Sequence, residues 1–488
     1  MLSACDYWAN EPVSRTLTGT ATGDGASQGA VFSPDGGTIA FVSSASNLGP
    51  TDTNRRNDVY LRDVQTGETT LVSTNAAGTD SGNDHSSDPV FSPDGTKLAF
   101  LSRATDLGPS DSNPDYDVYL YDLASEDTTL VSAGTDGLAA GGGAPAFSPD
   151  GTRIAFYSGG ATFGPTDNNH MFDIYMRDLA SGATTLISVN GAGTDGGNGQ
   201  SVNPVFSPGG TKIAFQSHAS DLDPEVLNFA IGSDVFYRDL VGEFTVTVST
   251  DATRTQDAGG DAFGAVWSPD SRKLLFWSAA GNLGPPDDNG LFDLYLRDVR
   301  TSAIWRLPID SPENLSMLPE GQIPGTWADP DFSADGTKIV FVSWNNDLAP
   351  GDFRPGADAY IYTLADRSYH LVTAPSPTTG GDGWTYAPSF NAAATKVVYV
   401  TTSTNAIVND RNGSAPDVVV TELDGLATTR VSHARNPIGD SADGPSYDAM
   451  FSPTGDVVAF TSEATNIVPS DTNQQSDVFV GTLVEDDQ

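Results

Sequence analysis

Phe91-Ser92-Pro93-Asp94-Gly95-Thr96-Lys97-Leu98-Ala99-Phe100 decides the fold, because the chain repeats it along almost its whole length. Its first five letters, FSPDG, also begin at Phe32 and Phe147. They return as FSPGG at Phe206, WSPDS at Trp267, FSADG at Phe332 and FSPTG at Phe451, and in worn form as FNAAATK at Phe390. Successive copies lie 56 to 65 residues apart. A period of that size makes each repeat one supersecondary unit that buries its apolar face against its neighbours.

Outward from the motif, each repeat reads as four short strands. In the first repeat these are Ala30 to Ser33, Thr38 to Ser43, Asp58 to Asp63 and Thr69 to Ser73. Pro34-Asp35-Gly36 supplies a tight reversal between the first two, and Thr66-Gly67 marks the turn before the fourth. The strands are rich in β-branched and aromatic residues, and helical periodicity is absent. Four strands per repeat in a radial array is a propeller blade, so the sequence predicts an all-β, eight-bladed β-propeller. The eighth repeat stops after three strands, and the N-terminus supplies the fourth: Ser14 to Gly19 is the expected closing strand. The competing count is seven blades plus an irregular segment at Phe390. The expected boundaries are a tether over 1–13, one propeller domain over 14–483 and an acidic tail over 484–488.

The pattern xPxFSPDGxxIAFxS resembles the WD40-like repeats of bacterial TolB-type propellers, over roughly residues 14–483. That resemblance implies the fold strongly and function weakly, since such propellers serve as secreted binding modules, peptidase propellers and sugar-active enzymes. TolB itself carries an additional α/β domain and fewer blades than are counted here.

The chain has 23 basic and 64 acidic residues, a net charge of −41. Nucleic acid is therefore excluded as a partner, because phosphate binding needs clustered Lys and Arg. No apolar run reaches the roughly 18 residues of a membrane span. The one cysteine, Cys5, sits in Leu2-Ser3-Ala4-Cys5, which is similar to a bacterial lipobox. This predicts an exported periplasmic or cell-surface lipoprotein, attached to the membrane only through lipid on Cys5. The plain alternative is an incidental cysteine. With one cysteine no internal disulfide forms.

Asp far exceeds Glu, which points to turns, caps or cation-binding loops rather than to a generic acidic coat. All five lysines (Lys97, Lys212, Lys273, Lys338 and Lys396) follow the PDG-type turn. They are expected beside the turn aspartates on one end of the blades. The other end carries Asp-x-Asn-x-x-x-Asp between strands two and three: Asp52, Asn54, Asp58; Asp111, Asn113, Asp117, with Asp115; Asp167, Asn169, Asp173; Asp287, Asn289, Asp293; and Asp471, Asn473, Asp477. Alternating oxygen ligands suit calcium, although the continuation of an EF-hand is missing. The same letters also suit Asx turns that anchor strand three. The motif degrades in blade four (Asp223, Asp234), in blade six (Asp352, Arg354, Asp358) and in blade seven (Asp410, Asn412, Asp417).

A catalytic constellation is not evident. Gly25-Ala26-Ser27-Gln28-Gly29 has the letters of a nucleophile elbow but not its strand-to-helix setting. His85, His170, His218, His370 and His433 fall at non-equivalent positions. Aromatics, in contrast, concentrate in the later repeats: Phe263, Tyr386 and Tyr447 lie four residues before the motif aromatic, with Trp327 and Trp384 in neighbouring loops. They are candidate anchors for a partner, or else plugs of a wide channel. The resulting expectation is a non-enzymatic, exported, acidic propeller that binds a protein partner. The alternative is a polysaccharide-binding or carbohydrate-active protein that uses the aromatic rim.

Overall fold

In the computed structural model the described residues are 7–484, without 20, 50, 109–110, 161, 164–166, 228–231, 285–289, 308–329, 346, 351, 353–355, 374–380, 408–409, 436–439 and 470. They form eight four-stranded antiparallel sheets, the eight-bladed β-propeller that the repeats predict. Blade one is Ser27–Phe32, Thr38–Ser43, Asp58–Asp63 and Thr69–Leu71 in sequential order. The worn copy at Phe390 builds a complete blade seven, from Thr385–Phe390 to Thr428–Arg430, which excludes the seven-blade count. No helix among the described residues is long and apolar enough to cross a membrane.

Two compact units divide the blades. One comprises Met1–Ser81 and Asn314–Gln488, with blades one, six, seven and eight; the other, Gly82–Glu313, holds blades two to five. Within each unit strands two and three are apolar nearly throughout because both faces of a blade are covered by its neighbours. Ile39, Ala40 and Phe41 are at most 1% exposed, and Val59 and Tyr60 are fully buried. The register sets Phe41 opposite Tyr60, with ring centroids 5.7 Å apart. Phe100–Tyr119, Phe276–Tyr295 and Phe460–Phe479 repeat this cross-strand stack in other blades.

Strand one carries a bulge before the motif, seen as a register shift such as that between Gln28 and Val31. The bulged residue has positive φ: Gly29 and Gly264, but also Asp88, Ala144, Asn203, Ala387 and Asp448. The bulge pinches the innermost strand and re-aims the side chains at its N-terminal end.

The closing strand exists, but it is Tyr7–Pro12 rather than Ser14–Gly19, and it pairs with Asp477–Val484 from Tyr7↔Val484 to Pro12↔Phe479. Residues 7–12 are therefore blade, not tether. Trp8 fixes the position: it is 1% exposed in the core of blades seven and eight, and its Nε1 donates to Thr429 Oγ1 at 3.1 Å. The Tyr7–Pro12 sequence YWANEP lacks β-branched residues, and Pro12 is tolerated only at the end of an edge strand. Ser14 takes the place of Ser73, just after strand four. Its hydroxyl donates to Asp477 Oδ1 at 2.7 Å, as Ser73 donates to Asp58 at 2.6 Å.

Candidate functional site

The Asp-x-Asn loops fold as sequence-local turns locked to buried partners. In blade one, Asp52 Oδ1 accepts from the Asn54 amide at 3.1 Å, an Asx turn, and from Ser81 Oγ at 3.0 Å. Asn54 Nδ2 then donates to Asp58 Oδ2 at 3.0 Å. Tyr60 O–H, rising from strand three, donates to Asp52 Oδ2 at 3.3 Å. Blades two and three repeat the arrangement with Asp111, Asn113, Asp117 and Tyr119, and with Asp167, Asn169, Asp173 and Tyr175. In blade eight Asn473 Nδ2 donates to Asp477 Oδ2 at 3.0 Å, and Thr22, at the place of Ser81, donates to Asp471 Oδ1, while Phe479 stands where the other blades have the tyrosine.

The degraded copies solve the same buried-acid problem differently. Blade four satisfies Asp223 with the Thr247 amide at 2.9 Å and Arg254 at 3.5 Å. In blades five and seven an arginine takes the strand-four place held by Leu71 in blade one. Arg306 reaches Asp293 at 3.2 Å, and Arg430 reaches Asp417 at 3.3 Å. In blade six Tyr360 O–H donates to Asp352, and Thr373 Oγ1 donates to Asp358.

Burial drives the strand-three aspartates upward. Desolvation, with the Asp52 charge adding, pushes Asp58 to about 8; Asp117 rises to about 6, and Asp173 and Asp477 to about 7, for the same reasons. The turn aspartates at the other end go the opposite way. Asp94 falls to about 2 because the Ser92 hydroxyl and the Thr96 amide donate to it.

As a cation cradle the loops present Asn Nδ2, a donor, toward the last carboxylate. Among the described residues no three His, Cys, Asp or Glu side chains are placed to hold a metal ion. Asp287 and Asn289 lie outside the described residues, as do Cys5 and Trp327. Asp115 is exposed at the lip of its loop, its amide donating to Asn113 Oδ1 at 2.8 Å. The lysines lie at the turn end as expected, but Lys97, Lys212 and Lys396 pair with the acid that ends strand three (Asp122, Asp239, Glu422), and of the lysine bridges seen only Lys273 reaches a turn aspartate. The register sets each of the first three directly opposite that acid.

Ser27 of the GxSxG letters starts strand one, fully buried, with its hydroxyl 2.8 Å from Ser43 Oγ, so it is no elbow. Of the aromatic candidates, Phe263 packs on Phe292 with centroids 5.1 Å apart in one unit. In the other unit Tyr386 packs on the core of blades seven and eight, and Tyr447 O–H donates to Glu463 at 3.3 Å. Trp384 is half-buried, its amide donating to Thr402 Oγ1 at 2.8 Å.

Sequence reading missed two features of the loop end. Inter-blade aspartates clamp the loops from outside: Asp80 accepts from Thr53 Oγ1 at 2.6 Å, and Asp24 accepts from Ser46 Oγ at 2.8 Å. The residue before strand three is an exposed or half-exposed aromatic in blades two, three and five: Tyr116, Phe172 and Phe292. Its signal was a period-matched aromatic one residue ahead of the motif's final aspartate.

No family model and no curated protein matches the chain. Solved structures similar to it include TolB from Acinetobacter baumannii, at 16% identity and TM-score 0.36, covering 72% of this chain and 64% of that one. An oligogalacturonate lyase in complex with manganese covers 98% of this chain and 97% of that one, at 14% identity and TM-score 0.46. Porphyromonas gingivalis dipeptidyl peptidase 4 aligns at 14% identity and TM-score 0.55, over 90% of this chain and 56% of its own. The chain thus spans only part of the TolB and the peptidase. The peptidase overturns the expectation of a non-enzymatic protein, because the same fold occurs in an enzyme. An unconvincing set of catalytic letters was too weak a basis for that expectation. By fold, the chain is an eight-bladed β-propeller.

Proposed function

We propose that the end of the blades bearing the Asp-x-Asn loops is a partner-binding face for another protein. One observation carries this reading: all five lysines sit at the turn end of their blades and none at the loop end. The lysines sit by the turns and are paired there. At the loop end the motif acids are consumed in internal bonds, while Asp88, Asp115 and Asp136 remain exposed. A rigid acidic rim with aromatic side chains selects partners by charge and anchors them by ring burial. Export, with lipid on Cys5 as the tether, completes the proposal. The test is site-specific photo-cross-linking in the native host, from probes at Asp115 and Asp136 against probes at Asp94 and Ser125. Adducts from the loop end alone support the reading, and adducts from the turn end alone contradict it.

A second reading, a carbohydrate-binding or carbohydrate-active rim, is favoured by the group at blades seven and eight. There Tyr447 bonds Glu463, and Asp448, raised by burial, lies near Tyr386 and Tyr447. Ring faces beside carboxyls suit a sugar. Glycan-array binding that is lost in Tyr386→Ala supports it; no binding to any glycan contradicts it.

Calcium in the loops is a separate proposal. It rests on the mutual repulsion of pairs such as Asp52 and Asp58, which a divalent cation would remove. It requires the Asn54 amide to turn its oxygen inward. A rise in Tm with calcium, beyond that given by magnesium at equal ionic strength, supports it; an equal response contradicts it.

A further inference from the structure

We infer that the loop end of blades two and three is a docking strip for an Arg- and Lys-rich polypeptide segment. The inference rests on the partner-binding reading above and names the chemistry of the partner.

The strip is an aromatic surface held open by glycines. Tyr157 and Phe172 pack with ring centroids 5.1 Å apart. A Cβ on Gly143 would lie 2.4 Å from the Tyr157 ring and hydroxyl, and one on Gly159 would lie 3.4 Å from the Phe172 ring. Both glycines therefore make room for the two rings, of which Tyr157 is half-buried against the core of blades three and four and Phe172 stands outward. Phe172 is 45% exposed, Met171 47% and Tyr116 40%. The Tyr116 carbonyl accepts from the Gly142 amide at 2.7 Å, which ties the third ring to the same entry strand.

Charge selects the occupant. Asp84, Asp88, Asp106, Asp115, Asp136 and Asp195 are exposed or half-exposed at this end of the two blades. Among the described residues the only Lys or Arg there is Arg103, with His85 and His170 as the histidines. Arg103 already lies over the Tyr116 ring, 5.7 Å from its centroid, with its Nε donating to Pro114 O. The protein thus places a guanidinium of its own on this surface. The Asp88 charge also acts on the neighbouring ring: after burial, it is the further cause that raises the Tyr157 hydroxyl. A guanidinium or ammonium over the Tyr157–Phe172 pair would gain the ring quadrupole and the Asp88 carboxylate together. An acidic polysaccharide or nucleic acid would be repelled by the same six carboxylates.

The test is calorimetric titration of the full chain with a synthetic Arg/Lys-rich peptide and with its all-Gln counterpart, at low and at physiological salt. The expected result is binding of the basic peptide only, weakening with salt. Phe172→Ala and Tyr157→Ala should each lower affinity by about tenfold, as an interface anchor does. Asp88→Asn, which keeps its shape and tolerates the positive φ at that residue, should lower affinity and flatten the salt dependence while leaving the melting temperature unchanged. Equal binding of the Gln peptide, or unchanged affinity in both Phe172→Ala and Asp88→Asn, overturns the inference. Loop-end cross-links to a native partner whose binding is indifferent to Asp88→Asn sink this inference alone; turn-end cross-links sink the partner-binding reading with it.

Discussion

Ser14 Oγ donates to Asp477 Oδ1 at 2.7 Å, joining a residue near the start of the chain to the last strand of the eighth blade. The pair is the blade's internal lock in permuted form. It recurs as Ser73–Asp58, Ser132–Asp117, Ser188–Asp173, Ser249–Asp234 and Ser432–Asp417, with Thr373–Asp358 in blade six. In each case the hydroxyl sits just after strand four and the acid opens strand three. The same hydroxyl also accepts from the next strand-three amide, as Ser14 does from Val478 at 3.1 Å.

Loss of this lock should open the eighth blade. Ser14→Ala leaves a buried carboxylate oxygen and a buried amide short of partners, a cost of about 1–3 kcal/mol. Trp8→Ala removes a ring buried against blades seven and eight and should cost about 3–5 kcal/mol. Chemical denaturation with near-ultraviolet detection measures both. Wild-type midpoints in both variants would show that Tyr7–Ser14 does not close the blade.

Stability should have a maximum in mildly acidic solution. Asp58, Asp117, Asp173 and Asp477 have folded-state values raised to about 6 to 8 from an ordinary 3.8. The folded state therefore binds more protons, and the stability these groups contribute is lost as pH rises from about 4 through 8. Asp94, Asp150 and Asp335 are lowered to about 2, so their contribution, present above 3.8, is lost as pH falls toward 2. Melting temperatures at constant ionic strength should rise from pH 8 to pH 5 and fall below pH 4. A monotonic rise from pH 5 to pH 8 would contradict the assignment.

Much of this was legible because it is local. The PDG turn and the apolar second and third strands depend on neighbours a few residues away, so eight copies announced eight blades even where Phe390 carries a worn one. The Asx turns at Asp52 and Asp111 were equally visible in their letters. What stayed hidden is tertiary. Nothing in YWANEP shows that Trp8 will be buried against Thr429, and nothing near Asp80 shows that it will bond Thr53. The strip at Tyr157 and Phe172 depends on two glycines that look like ordinary loop residues. Arg306 and Arg430 read as unremarkable cations until the register puts them where blade one has Leu71.

Blade seven offers a test of that last substitution. Arg430 is buried between Asp410 and Asp417, and its register partner Val419 occupies the place of Tyr60. Arg430→Leu should cost about 3–5 kcal/mol, because it strands two buried acids. Adding Val419→Tyr, which restores the blade-one pair and a donor toward Asp410, should recover part of the loss. Thermal melts of the single and double variants decide it; a double variant less stable than Arg430→Leu would refute the equivalence.

The bulge residues give a further prediction. Ala144 and Ala387 hold φ near +50°, which costs an L-residue about 1–2 kcal/mol, so glycine at either site should stabilise by up to about 1 kcal/mol after its own entropy loss. Gly264→Ala should do the reverse. Its φ is +71°, and the new Cβ would lie 2.9 Å from Trp277 Cδ1. Opposite signs in a denaturation series would reject the bulge account.

Carboxyl footprinting addresses the partner-binding face most directly. The chain is labelled by carbodiimide coupling, alone and with its native partner bound, and the modified aspartates are read by mass spectrometry. The loop-end reading predicts protection of Asp88, Asp115 and Asp136, with Asp94, Asp150 and Asp335 at the turn end labelled equally in both states. Protection of the turn aspartates with the loop aspartates unchanged would contradict it.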